Sequence, residues 1–311
     1  GSTHEALRHA AAAQDVALAA DIIEGELQEL LVREEWPTLE RWLGMLPGEI
    51  IQRRPWLLVA QAWVFHFRHK LAGIPPLLEQ AQALLSRGSV SAAVEVLVRR
   101  HIGTLSTLLF FVAGDYPGVL AAAQAVLADN DTGHPFSRGF ALFFQSIASY
   151  ALTGEEPASS LCARIADDPL EAATVRARAL SSIGHIYGIA CRPVEQERTA
   201  WALLKLAREH DLDLSRAWAY RHLGNTFYER RELDKAVQHF ALGVELRYLG
   251  HFICARDCYI GLTLTYLAQG RSEEARATVA ALQDFYQERG MANLPEYDSF
   301  QARSYLLLGD A

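Results

Sequence analysis

Cysteine is scarce: four in 311 residues, and no two form a Cys-x-x-Cys pair. That excludes a disulfide framework and points to a reducing cytoplasm. Long hydrophobic runs are missing too. The most apolar stretch near the start, AAAAQDVALAADII, is interrupted by Gln14 and Asp15, short of the ~18 residues that a membrane helix needs. No basic segment precedes it, so no signal peptide is read. Positive charge is in the minority, with 29 Lys and Arg against 37 Asp and Glu and a net charge of −8. Such a surface is poorly suited to gripping a nucleic-acid backbone. There is no G-x-x-x-x-G-K-[ST] phosphate loop and no G-x-S-x-G elbow, and Ser181 and His185 are i, i+4 neighbours through helix spacing alone. Nothing here predicts an enzyme.

Half of the residues are hydrophobic, and only 21% are charged. Apolar side chains recur at helical spacing, and Ala, Leu, Glu, Arg and Gln, all good helix formers, dominate. Gly and Pro gather in short clusters: Pro47-Gly48, Gly73 to Pro76, Gly114 to Gly118, Gly133 to Pro135, Gly154 to Pro157 and Gly270. These predict an all-α chain of helices roughly 12 to 18 residues long, with no long linker.

The segment LGNTFYERRELDKA, Leu223 to Ala236, supplies a template: glycine, an aromatic three residues later, a charged turn, and alanine twelve residues after the glycine. Setting Gly224 at position 8 of a unit, the same place falls at Ala62, Thr107, Ile147, Gly184 and Thr263. Aromatics follow at position 11: Phe65, Phe110, Tyr150, Tyr187, Phe227 and Tyr266. A small residue at position 8 lets two helices of a hairpin approach, and the ring at position 11 fills the gap to the next hairpin. Tyr220, Leu223, Gly224, Phe227, Ala236 and Phe240 resemble the tetratricopeptide pattern, although these units are longer than its ~34 residues. The prediction is a right-handed superhelix of about seven to eight tetratricopeptide-like hairpins. It forms a single domain over 1–311, with a cloning scar at 1–3, divergent N-terminal hairpins at 4–54 and the repeat array at 55–311.

The N-terminal third carries a more particular signature. LERWLGMLPGEIIQRRPWLLVAQAW contains Trp42-Leu43, Leu46-Pro47, Arg54-Pro55-Trp56-Leu57 and Ala62-Trp63, after the Ala-rich HAAAAQDVALAADII. It resembles the start of the superhelical region in MalT-like, large ATP-binding regulators of the LuxR family, a branch of the STAND ATPases. The resemblance implies a sensor domain of a bacterial transcriptional activator. It would take up a small-molecule inducer, associate with itself or a regulatory protein, and relay the signal to a nucleotide-binding module and a DNA-binding module. ATP or ADP belongs to the former, so no cofactor is expected in this chain, nor any contact with nucleic acid or membrane. The chain ends without the basic helix-turn-helix segment such regulators place last, and so reads as the sensor alone.

In a stack of this kind, first-helix positions 2, 5, 9 and 12 line the inner wall. They give His101 and Thr104, then Arg178, Ser181 and His185, then Trp218, Arg221, Asn225 and Tyr228 with His222 beside them, then Asp257. Aromatic faces with a few aimed polar groups suit a polar small molecule, and Arg178 and Arg221 suit a carboxylate or phosphate. The ligand-binding candidates are therefore Arg178, Ser181, His185, Trp218, Arg221, His222, Asn225, Tyr228 and Asp257. Trp56 and Trp63 also map to inner-wall positions. His251, Cys254 and Cys258 share a helical face, and His66 and His69 flank a helix end, but packing explains both sets more simply than a metal does. The competing reading is a tetratricopeptide scaffold for a peptide or protein partner, which calls for the same polar residue at the same position in successive units. Asn225 stands alone at position 9, which favours a local pocket.

Overall fold

The computed structural model describes residues 2–88, 90–128, 134–154, 160–291 and 295–309. All regular structure among them is helical: α1 (Ser2–Ala12), α2 (Val16–Val32), α3 (Trp36–Leu43), α4 (Gly48–Ile51), α5 (Pro55–Phe67), α6 (Ile74–Leu85), α7 (Ala92–Val112), α8 (Tyr116–Leu127), α9 (Pro135–Thr153), α10 (Leu161–Asp167), α11 (Ala173–Ile189), α12 (Pro193–Glu209), α13 (Asp213–Glu229), α14 (Leu233–Glu245), α15 (Phe252–Ala268), α16 (Ser272–Glu288) and α17 (Pro295–Leu308). The all-α expectation holds. Of the expected turn residues, Gly133 and Glu155 to Pro157 lie outside the described residues, as do Gly1, Asp310 and Ala311. The chain divides into two compact units, Gly1–Ser182 and Ile183–Ala311, with the division inside α11.

The backbone supports the phasing of the repeat. Seven residues after each position 8 stand His69, Gly114, Gly154, Cys191, Arg231 and Gly270, and every one has a positive φ, between 53° and 73°. Each ends the first helix of its hairpin. In five of the six, the N–H of the next residue reaches back to the carbonyl of the position-11 aromatic: Lys70 to Phe65, Asp115 to Phe110, Arg192 to Tyr187, Glu232 to Phe227 and Arg271 to Tyr266, at 2.8 to 2.9 Å. This is the Schellman closure, which satisfies carbonyls that a helix end leaves open. The position-11 residue thus has a backbone role as well as a side-chain one.

Position 8 is buried in all six units. Gly224 is small for a reason visible in the packing: a Cβ there would come within 2.5 Å of the Phe240 ring, and one at Gly261 within 2.3 Å of the same ring. The position-24 aromatic of α14 therefore slots between α13 and α15 against two glycines. The rings at position 11 vary more than the pattern predicts. Tyr187 and Phe227 are buried, whereas Phe110 is 40% exposed, lying across Gly118 at the edge of its hairpin.

In the unit Gly1–Ser182, an aromatic core replaces the expected inner wall. Trp56, Trp63, His101 and Thr104 are all buried. Trp63 packs against Phe136 at 4.7 Å and Phe140 at 5.1 Å, and Trp36 stacks on Phe67 at 5.5 Å. The helices here are longer, α7 running 21 residues and α9 19, so their inner faces carry more large rings than a standard unit. Burying those rings outweighs leaving the positions open to solvent. In the unit Ile183–Ala311, Phe252, Tyr259, Leu282, Phe285 and Tyr286 form a second core.

Candidate functional site

The nine candidate residues do not all lie together. Arg178 and Ser181 belong to Gly1–Ser182, and the other seven to Ile183–Ala311. Arg178 is 3% exposed; its Nη2 donates to Glu34 Oε1 at 2.6 Å, and its guanidinium lies 4.7 Å from the Phe140 ring centroid. Gly139 makes room for it, since a Cβ there would sit 3.0 Å from Arg178 Cγ. Ser181 is 1% exposed. Both occupy packed interior, a different setting from the solvent-facing wall that their helical positions suggest.

The remaining seven converge on successive first helices: His185 on α11, Trp218, Arg221, His222, Asn225 and Tyr228 on α13, and Asp257 on α15. Arg221 Nε donates to Asp257 Oδ2 at 2.8 Å, and the Arg256 side chain donates to Oδ1 of the same carboxylate at 2.8 and 3.0 Å. The Arg221 guanidinium lies 5.2 Å from the Trp218 ring centroid. Burial alone would raise the Asp257 pKa, but Arg221 and Arg256 outweigh it and hold the carboxyl below its ordinary value. His185 is pushed down to about 4, first by burial and then by Arg221, with Asp257 opposing. It is therefore neutral at physiological pH.

Behind this face lies a polar residue that the sequence reading passed over. Gln196 of α12 is 1% exposed. Its Nε2 donates to the Gly184 carbonyl at 3.2 Å and lies 3.4 Å from His222 Nδ1, while its Oε1 accepts from Thr226 Oγ1 at 3.0 Å. One amide thus ties α11, α12 and α13 together, and its donor side faces Nδ1 of His222, which favours the tautomer with the proton on Nε2. His222 stands among Trp218, at 6.1 Å, and His185, at 6.4 Å. The signal for Gln196 was a lone glutamine three residues after Pro193 on a face that continues with the apolar Ala200, Leu203 and Ala207.

Asn225 and Tyr228 are half-buried, and their side chains make no hydrogen bond to any described residue. Arg221 likewise uses only Nε, so its two Nη groups have no partner among the described residues. Residues 221, 225 and 228 follow i, i+4, i+7 spacing and so share one face of α13. That face presents a guanidinium edge, an amide and a phenol with open hydrogen-bonding capacity, and Trp218 one turn earlier. No described group of three His, Cys, Asp or Glu is placed to hold a metal. His251 instead caps α15, its Nδ1 accepting from Ile253 N at 3.1 Å, and Cys254 and Cys258 are buried in the helix packing.

No family model matches the chain. In sequence it is similar to the HTH-type transcriptional regulator MalT of Yersinia pestis (strain Pestoides F), 28% identical over 155 residues, which is 50% of this chain and 16% of that protein. It is also 28% identical over 114 residues to MalT of Yersinia enterocolitica, covering 37% of this chain and 12% of the relative. The match thus spans a small part of those regulators. In fold it is similar to the apo form of RapI, with a TM-score of 0.51 and 13% identity, covering 94% of this chain and 82% of that one. No described helix is long and apolar enough to cross a membrane. The chain is thus similar in sequence to part of MalT over half its length, and over nearly all of it the fold is one of tetratricopeptide-like helical hairpins, as in RapI.

Proposed function

We propose that this chain is the effector-sensing and protein-interaction domain of a bacterial, ATP-dependent transcriptional activator. It acts in the cytoplasm, binds a small-molecule inducer on the α13 face, and relays that binding to nucleotide-binding and DNA-binding modules of a longer protein. The observation that carries this reading is the row of the Arg221 Nη groups, the Asn225 amide and the Tyr228 phenol, which make no hydrogen bond to a described residue, while Trp218 flanks them and Asp257 holds Arg221 through Nε. Half-buried polar groups with no partner in the protein are held by water in the free chain and can exchange that water for a ligand. The likeness to MalT supports the regulatory setting. A single domain over the whole chain, with no cofactor of its own, fits this role.

The test is a thermal-shift screen of sugars, organic acids and aromatic metabolites against the chain, with hits repeated on Arg221→Ala, Trp218→Ala, Asn225→Ala and Tyr228→Phe. At least one compound should raise the melting temperature of the parent. Arg221→Ala and Trp218→Ala should lose that shift while keeping a native circular-dichroism spectrum. Stabilisation by a partner protein or peptide alone, with every small molecule inert, would replace this reading with the scaffold one.

A further inference from the structure

The α13 face also says what kind of ligand it takes, given the reading above that this face is the ligand site. A guanidinium offers paired N–H groups along its Nη edge in a geometry matched to a carboxylate or phosphate. In Arg221 only Nε is committed, and it is committed to a carboxylate that is itself shared with Arg256. The side chain is 15% exposed, and Asp257 18%, so water screens the charge poorly. Asp257 also fixes the guanidinium from one side, and the Trp218 ring lies 5.2 Å away, which limits its freedom before any ligand arrives. His185 is held neutral, so it adds no second positive charge to the face.

From residue 221 to residue 228 the helix rises about 10 Å at ~1.5 Å per residue. Along that length the open groups change in kind, from a cation at Arg221 to an amide at Asn225, which both donates and accepts, to a phenol at Tyr228. We infer that the ligand is a hydroxylated organic anion about 10 Å long, its oxyanion on the Nη edge of Arg221 and its hydroxyl groups on Asn225 and Tyr228. A sugar acid and a sugar phosphate share this chemistry, and the experiment separates them.

The probes are two matched pairs, gluconate with sorbitol and glucose 6-phosphate with glucose, titrated into the chain by calorimetry and thermal shift. At least one anion should bind about 10-fold or more tighter than its neutral partner. Which pair responds distinguishes carboxylate from phosphate. Arg221→Gln should remove that preference, whereas Asp257→Asn, which withdraws a competing negative charge while leaving an oxygen that can still accept from Nε, should keep or strengthen it. A test needing no variant is salt: the anion's affinity should fall as sodium chloride rises from 0.05 to about 0.5 M, while the neutral partner's does not. If the neutral member binds as well as the anion, and Asn225→Ala or Tyr228→Phe weakens it, the anionic assignment is wrong and the site reading stands. If small molecules bind but none responds to Arg221→Gln, Asn225→Ala or Tyr228→Phe, both fail. Four inert probes at 50 mM would likewise overturn the assignment.

Discussion

Arg178 and Glu34, 144 positions apart in sequence, meet as a buried ion pair in the unit Gly1–Ser182, Nη2 to Oε1 at 2.6 Å, with side chains 4% and 0% exposed. Glu34 reaches it from a left-handed residue, φ 61°, in the turn between α2 and α3. The pair closes the N-terminal hairpins onto α11.

Breaking such a pair from one side leaves a buried charge behind. Arg178→Ala should cost about 3–5 kcal/mol in unfolding free energy, read as a lower urea midpoint. Because Arg178 is buried, ligand affinity at the α13 face should not change in the folded variant. A cost below about 1 kcal/mol would show that the pair is solvated.

Acid stability should depend on His101. Trp63 donates its indole N–H to His101 Nδ1 at 2.9 Å, which leaves the proton on Nε2 and the ring neutral. Burial chiefly, with His134 and Arg100 adding to it, lowers the His101 pKa to about 3. In the unfolded chain the ring takes up a proton below about 6.5, whereas the native ring does so only near 3. Stability from this group is therefore level above pH 6.5 and falls as the pH drops toward 3. By pH 4 the loss is on the order of 3 kcal/mol. Urea midpoints of the parent between pH 7 and pH 4 should fall more steeply than those of His101→Gln, whose amide oxygen can still accept from Trp63. Parallel slopes would refute the assignment.

Two glycines should respond oppositely to alanine. At Gly224 the new Cβ meets the Phe240 ring at 2.5 Å, so Gly224→Ala should destabilise by about 1–3 kcal/mol through overpacking. At Gly25, exposed in the interior of α2, a Cβ meets nothing within 4 Å. Gly25→Ala should gain about 0.5–1 kcal/mol from helix propensity. Equal and small changes at both sites would mean that Phe240 is not lodged where the structure puts it.

The thiols should divide one against three. Cys191 is exposed, whereas Cys162, Cys254 and Cys258 are buried. Burial raises the pKa of Cys162, and burial together with Cys258 raises that of Cys254. A disulfide reagent at pH 8 should titrate a single thiol promptly in the native chain and all four in urea. Fast reaction of a second thiol would mean that the packing around α15 or α10 opens readily.

The helical class and the phase of the repeat could be read from the chain because both rest on local preferences: helix-forming composition, an apolar stripe, and a small residue followed by a ring. Gly114, Gly154 and Gly270 even mark the helix ends openly. His69, Cys191 and Arg231 occupy the same left-handed position without any sign of it in residue type. There the Schellman closure and the hairpin packing impose a conformation that these side chains disfavour by roughly 1–2 kcal/mol.

The candidate site was legible only in part. Helical periodicity correctly brought Arg221, Asn225 and Tyr228 to one face, since residues four and three apart on a helix are neighbours. It could not tell that Arg178 faces Glu34 and not solvent, because that depends on a partner 144 residues away. Nor could it show that Asp257 takes only one edge of Arg221, or that Gln196 stands behind His222. The sequence by itself determined which residues share a helix face and where each hairpin turns. Which faces are filled, and which polar groups remain open, was decided only by tertiary packing, because burial and pairing depend on what the other helices bring.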